Sequence, residues 1–273
     1  MNLVPLRIHI AVVGFEIDRI SQAAIKNRAD KVYLISKKEE DDGLIYLKKN
    51  EEILKNKGIF VIIELIDDVH DIICILDKLK NIIKREKENL IYINISSGSN
   101  LSAVAGTISS MMFDKDYNII PYYVKPEKYL DCDEIRNEKS EYGQFPKLRT
   151  TGVKEIVDIV TFPTKLPTLP LIKVLKKINS EKEGTITKKK LLLYIGESEE
   201  TAKQFNYPYF EKSSSSSVLE KAKNYAWLNQ NIIEKLKNEW NFIEVQKEGK
   251  SSNIYLTQKG KNMLKYLDDE PNC

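Results

Sequence analysis

Residues 89–112 read NLIYINISSGSNLSAVAGTISSMM. A β-branched apolar run ends at Ser96, small polar residues follow through Ser97, Gly98, Ser99 and Asn100, and a helix of small residues then begins. Strand, polar elbow and helix in immediate succession form the repeating unit of an open α/β sheet. The unit recurs along the chain. Runs of β-branched residues at 8–15, 31–36, 59–66 and 118–124 join the one at 90–96, and stretches of helical period at 16–27, 40–57, 69–87 and 99–113 alternate with them. Near-continuous apolar strands imply a sheet covered on both faces, and crossover helices imply parallel order. The expected fold is therefore α/β, a Rossmann-like, doubly wound, mainly parallel sheet.

Residues 125–146 are polar and irregular and are expected as a loop or hairpin leaving the sheet. VKEIVDIVTF (153–162) is expected to add one further strand. FPTKLPTLP (162–170) then carries three prolines, which forbid regular helix or central strand and make a stiff connector. It is the expected boundary between a domain of residues 1–165 and one of residues 166–273. Beyond it, LIKVLKKI (171–178), TKKKLLLYIG (187–196) and VLEKAKNYAWLNQNIIEKLKNEWNFI (218–243) read as three helices. A strand, a turn at Glu248-Gly249-Lys250, a second strand and a closing helix from Gln258 follow, which is the order of a winged helix-turn-helix. The serine run 213–217, which has no side chains to pack, reads as a flexible loop.

With 42% hydrophobic and 30% charged residues, the 273-residue chain is suited to burying the cores of two domains. Its net charge of +3 points to no polyanionic partner by itself. The charge is uneven, however: from Lys165 onward there are 19 lysines against 14 acidic residues. Cys74, Cys132 and Cys273 form neither a disulfide framework nor a CxxC pair, so neither metal nor cofactor is expected and a reducing cytoplasm is the simplest setting. No apolar run is long enough for a membrane span, and no leader pattern opens the chain.

In an open parallel sheet, ligands collect beyond the carboxyl ends of the strands, where the strand order reverses. Two loops at that edge stand out, Gly14-Phe15-Glu16-Ile17-Asp18-Arg19 and the elbow itself. The elbow enters a helix directly, so Ser97, Gly98 and Ser99 can offer N–H groups and hydroxyls to an anion at the positive end of the helix dipole. Any one of these residues also suits a helix cap, but five in succession exceed what capping needs. A GxGxxG fingerprint is absent after the first strand, as is a GxxxxGK[ST] loop, which leaves nucleotide and sugar-phosphate ligands open. Glu16 and Asp18 are expected as helix caps, and Arg19 as either a charge for the site or a solvated surface residue.

The pair VVGFEIDRI and YINISSGSNLSAVAGTISSMM resembles archaeal CARF (CRISPR-associated Rossmann fold) proteins, in particular transcriptional regulators with a C-terminal winged helix. The resemblance also takes in ADKVYLIS, the proline-bounded connector and YLTQKG. It implies a homodimer that binds a cyclic oligoadenylate, expected as cyclic tetra-adenylate, through Gly14, Phe15, Asp18, Ser96, Ser97, Gly98, Ser99 and Asn100. It also implies a link to CRISPR antiviral defence. Many relatives carry a lysine where this chain has Asn100, so a direct cationic phosphate contact is missing there.

For double-stranded DNA, the 218–243 helix offers Lys221, Lys223, Asn224, Tyr225, Asn229 and Gln230, with Ala222, Ala226, Leu228 and Ile232 expected on its buried side. The wing offers Lys247 and Lys250. Asn and Gln read adenine edges, and lysines neutralise phosphates. A winged helix that binds a protein partner is the alternative output. Catalysis is not expected. His9 reads as a packed strand residue and His70 as an exposed one, and the region after Arg149 holds neither histidine nor arginine, which rules out an Arg-x4-6-His ribonuclease motif there. A weak ring-nuclease activity, which needs positioning more than a strong base, stays open.

Overall fold

The computed structural model describes residues 4–39, 41–113, 117–131, 144–162, 164–208, 218–248 and 251–267. The chain divides into two units, the first running to Lys165 and the second starting at Leu166. The serine run 213–217 lies outside the described residues.

The first unit alternates β1 (Arg7–Val12), α1 (Ser21–Lys26), β2 (Lys31–Lys37), α2 (Leu44–Asn56), β3 (Phe60–Ile66), α3 (Ile72–Arg85), β4 (Leu90–Asn94), α4 (Asn100–Phe113) and β5 (Ile119–Lys125). β6 (Lys128–Tyr129), β7 (Thr150–Thr151) and β8 (Glu155–Asp158) complete it. Six strands form one sheet in the order β3-β2-β1-β4-β5-β8; the first five are parallel and β8 runs antiparallel to β5. β6 and β7 form a separate antiparallel pair, and of the segment expected as a loop or hairpin, residues 132–143 lie outside the described residues. The doubly wound α/β reading therefore holds.

Side-chain parity assigns the helices to faces. Ala11, Val13, Val32 and Leu34 pack with α1 and α2 through Ile20, Ala24, Tyr46, Leu47 and Leu54. On the other face, Gly106 of α4 lies so close to the sheet that a Cβ there would come within 3.0 Å of Ile93 and Ile95. Ala105 beside it is fully buried, as the small-residue reading of this helix required.

α1 begins at Ser21, later than expected, and has no side-chain cap. Glu16 and Arg19 are instead drawn into the interior, which turns residues 16–20 into tight turns ahead of the helix. Cys74 is buried and disulfide-bonded, which corrects the expectation that the cysteines of this chain make no disulfide. Among the described residues, no helix is long and apolar enough to cross a membrane.

The second unit runs α5 (Leu169–Ser180), β9 (Thr185–Thr187), α6 (Lys188–Ile195), α7 (Glu199–Gln204), α8 (Val218–Leu228), β10 (Ile243–Glu248), β11 (Ser251–Leu256) and α9 (Gln258–Leu267). α8 continues to Glu239 with wider, π-type turns over Asn229–Ile233 and Lys235–Glu239. β10, β11 and β9 form one antiparallel sheet, and Val174, Ile178, Leu191, Leu228, Leu236 and Ile254 meet in a single core. This is a winged helix-turn-helix. It contains two elements the sequence reading lacked, β9 and α7, so the helix expected as the third is the fourth. Ser198 caps α7 by accepting the Thr201 N–H at 3.1 Å.

His9 is a core residue, as its strand position implied. It is 1% exposed, stacks on Tyr92 at 4.7 Å, and its Nδ1 lies 3.0 Å from the Tyr122 hydroxyl. Burial, with Arg7 nearby, lowers its pKa from 6.5 to about 3. Below pH 6.5 the unfolded chain takes up a proton that the folded chain refuses, so stability falls as pH drops through the interval from 6.5 toward 3, by up to about 1.4 kcal/mol per unit. His9→Gln removes this titration. Urea unfolding of the wild type is expected to lose more stability between mildly acidic and neutral pH than the variant does; parallel pH profiles would disprove the assignment.

Candidate functional site

The order β3-β2-β1-β4-β5 reverses direction between β1 and β4, because α1 crosses on one face and α4 on the other. In such a sheet the loops that follow these two strands leave on opposite faces, and ligands collect at that carboxyl edge. They are the loops selected from sequence, and the structure brings them together. Gly14 sits against Gly98: a Cβ on Gly14 would lie 2.8 Å from the Gly98 N and 2.9 Å from its Cα. Gly98 itself has φ +77°, in the left-handed region that favours glycine, and a Cβ there would come within 2.7 Å of the Ser102 hydroxyl.

The five elbow residues divide the work. Ser99 is the helix cap, since its hydroxyl accepts the Ser102 N–H at 3.2 Å and the Ser102 hydroxyl accepts the Ser99 N–H at 3.2 Å. This is a reciprocal capping arrangement with serine at both ends. Ser96 accepts the Val124 N–H and ties the elbow to β5. Ser97 is 2% exposed and its hydroxyl has no hydrogen-bond partner. Gly98 and Asn100 are exposed, with Asn100 opening α4.

Asn94, which the sequence reading did not select, holds the two loops in register. Its Nδ2 donates to the Arg19 carbonyl at 2.7 Å, and its Oδ1 accepts the Ser96 N–H at 2.8 Å. Position was the available signal: an asparagine that ends a buried strand needs partners at both ends of its amide.

The first loop departs from expectation in its charges. Neither Glu16 nor Asp18 caps a helix. Glu16 is buried, accepts from the Thr150 hydroxyl and pairs with Arg19 at 3.3 Å; burial raises its pKa against the opposing pull of Thr150 and Arg19. Arg19 is 8% exposed, donates from Nε to the Val124 carbonyl at 3.0 Å and lies over the Tyr123 ring, so it is neither solvated nor directed at a ligand. Asp18 accepts from the Gly152 N–H and from Gln22, both at 2.7 Å. It also borders a cavity of about 450 Å³ shared with Lys49, Glu127, Thr150 and Gly152. Phe15 is 38% exposed and meets Tyr46 edge-on at 5.3 Å.

In the second unit, Lys223 and Gln230 are exposed seven residues apart on one side of α8. Asn229 is committed, since its Oδ1 accepts from Lys188 of α6 at 2.8 Å. Asn224 and Tyr225 are half-buried, and the Asn224 Oδ1 has no partner. Lys221 lies on the same helix, and Lys247 is exposed on β10. Lys250 lies outside the described residues. Leu228 and Ile232 are buried as expected, but Ala222 and Ala226 are exposed: the N-terminal part of α8 turns its other side, with Trp227 against Tyr207, toward the unit.

The fold and the two loops define an open α/β domain with a switch-point crevice, followed by a winged helix domain. Two family models agree with that division, one described as HFX_2341_N:-like, N-terminal, over residues 7–129, the other as the DUF6293 C-terminal winged helix domain, over residues 171–268. The uncharacterized protein MJ1513 of Methanocaldococcus jannaschii is 31% identical over 325 aligned positions, covering 95% of this chain and 96% of that protein. The chain belongs to that protein's family. Among solved structures, Enterococcus italicus Csm6 bound to cyclic hexa-2'-fluoro-hexa-dAMP is similar at a TM-score of 0.37 and 13% identity, over 96% of this chain and 76% of that one. Can2 from Sulfobacillus thermosulfidooxidans in complex with cyclic tetra-adenylate is similar at 0.36 and 10% identity, over 95% of this chain and 61% of that one. Likeness at that level carries no argument about ligand or chemistry.

Asn94→Leu leaves the buried Arg19 carbonyl and the part-buried Ser96 N–H without this partner and is expected to cost about 3 kcal/mol. Ser97→Ala removes a hydroxyl that has no partner and is expected to stay within about 1 kcal/mol of wild type. Urea titrations followed by far-ultraviolet circular dichroism measure both; equal losses would mean that the Ser97 hydroxyl is engaged after all.

Proposed function

We propose that this chain is a ligand-responsive, DNA-binding transcriptional regulator that senses a cyclic oligoadenylate, cyclic tetra-adenylate by preference, through a homodimer of its N-terminal unit in CRISPR-linked antiviral defence. One observation carries the reading. Two loops at a switch point meet glycine to glycine, and beside the start of α4 they bury a serine hydroxyl without a partner, in a chain whose second unit is a winged helix. Backbone N–H groups at a helix start suit phosphate oxygens, and a pinned pair of loops suits a ligand that bridges them. The outer side of α4 supports the dimer, because Leu101 and Val104, one turn apart beside the elbow, are 39% and 48% exposed. A helix that is apolar on its outer side is completed by a second copy.

The output follows from the winged helix. Exposed Lys223, Gln230 and Lys247 contact phosphates and base edges, and two copies read a pseudo-palindromic site. Ligand bound across the dimer favours one arrangement of the two winged helices over the other.

Calorimetry of the full chain with cyclic tri-, tetra- and hexa-adenylate tests the sensor. The tetra-adenylate is expected to bind, Ser97→Arg to abolish binding, and Asn100→Lys, at an exposed position that tolerates the change, to tighten it about tenfold by adding one charge-assisted contact. Binding unchanged in both variants would remove the elbow from the site. A gel shift with the DNA upstream of its own operon is expected to give a complex that weakens steeply with salt. The absence of such a complex would overturn the regulator reading.

A further inference from the structure

The elbow and the first loop offer a polyanion hydroxyls and N–H groups but no cation. Arg19 is turned inward onto Glu16 and Val124, and the elbow carries Asn100 where a lysine would serve. A cation does reach the first loop from the segment 144–152. The Lys147 Nζ lies 4.9 Å above the centre of the Phe15 ring, and Phe15 directly follows Gly14, whose backbone meets Gly98.

Tyr46 explains how it gets there. This fully buried residue, in the first turn of α2, meets Phe15 edge-on at 5.3 Å and Phe145 at 5.5 Å. Its hydroxyl accepts the Lys147 N–H at 2.8 Å. α2 starts just beyond the carboxyl end of β2, so Tyr46, Phe15 and Lys147 all stand on the ligand edge of the sheet. Lys147 pairs with Asp42, but both side chains are solvent-exposed, at 46% and 70%, and an exposed pair is held by about 0–1 kcal/mol. A phosphate displaces such a carboxylate readily. Lys37 and Lys125, which end β2 and β5, and Lys38 just beyond β2 also pair with acids, Glu39, Glu155 and Asp67; of these and Lys147, Lys147 is the one that touches a residue of the two loops.

We propose that Lys147 is the anion-contacting cation of the switch-point site, supplied from the 144–152 segment in place of a lysine at position 100, with the Lys147–Phe15 pair forming the wall against which a nucleotide phosphate and its base are held. This rests on the nucleotide-sensor reading of the same loops. It adds a specificity determinant to that site: a neutral ligand of the same shape gains nothing from Lys147, whereas an anionic nucleotide does.

The test is calorimetry of the full chain with cyclic tetra-adenylate at several salt concentrations, on wild type, Lys147→Gln, Tyr46→Phe and Lys55→Gln. Lys55, an exposed lysine paired with Glu51 on α2, serves as the control removal of charge. Lys147→Gln is expected to weaken binding about tenfold and to reduce the slope of log affinity against log salt by about 0.7, the value for one lost phosphate contact on a single strand. Tyr46→Phe, which frees the Lys147 backbone but keeps its charge, is expected to weaken binding less and to leave that slope unchanged. Addition of Asn100→Lys to Lys147→Gln is expected to restore affinity. Weakening by Lys55→Gln equal to that by Lys147→Gln, or wild-type affinity in Lys147→Gln, would overturn the proposal. If Lys147→Gln binds as wild type while Ser97→Arg does not bind, the role of Lys147 falls and the elbow stands; if wild type binds no cyclic adenylate, both fall.

Discussion

The carboxyl edge of the sheet depends on the near-contact of two glycines. Strand order alone sends the chain after β1 to one face and after β4 to the other, and this would leave a wide, soft crevice. Gly14 and Gly98 close its floor because neither has a Cβ to hold the backbones apart, and the positive φ of Gly98 turns the chain so that α4 starts immediately above that floor. Asn94 then locks the approach from beneath, with one half of its amide on each loop. A side chain at Gly14 forces the loops apart, since the obstructing atoms are the backbone of Gly98, while one at Gly98 meets the Ser102 and Val12 side chains from a backbone conformation that disfavours it. The elbow is thus a rigid feature of the sheet edge, which is the condition for N–H groups at a helix start to act as a preformed anion cradle.

Magnitudes decide how much that cradle does alone. The dipole of a helix end contributes about 0.3–1 kcal/mol to an exposed anion, while a hydrogen bond to a charged group contributes about 1.5–3 kcal/mol. Hydrogen bonds from serines and N–H groups to a polyanion belong to that charged class, so a cation on this edge adds one further contact of comparable size. The acids of the first loop do not oppose it. Glu16 is enclosed with Arg19 and Thr150, its pKa raised by burial, and the Asp18 carboxylate is occupied by Gly152 and Gln22. Both act inside the scaffold.

The parallel core was legible in the sequence because its period is local: every run in β1 to β5 is apolar and of strand length, and every intervening stretch has helical spacing. What escaped has a different physical origin. The late start of α1 follows from Glu16 and Arg19 finding partners on β5 and β7, far along the chain. The Lys147–Tyr46 bond joins residues 101 positions apart, and the 144–152 segment, polar and irregular in composition, gives no local sign that it returns to the first loop. β9 is three residues long and becomes a strand only through pairing with β11. α7 was more nearly readable, since Ser198 followed by two glutamates carries the start signal of a helix.

An unpaired buried hydroxyl is weak testimony by itself. Ser109, in the same helix α4, has one too, and the His9 Nε2 and Asn50 Oδ1 are also buried without a partner. Each costs on the order of 1–3 kcal/mol relative to a satisfied group, so a stable core carries a few of them without any functional reason. Ser97 differs in its surroundings. Ser109 faces the packed side of a helix, where backbone groups are already paired within the helix, and His9 is enclosed by Tyr92 and Tyr122. Ser97 lies in the turn that leads into α4, between two loops pinned by Asn94 and in contact through two glycines. Of the buried unpaired side chains named here, Ser97 alone lies in the elbow between β4 and α4.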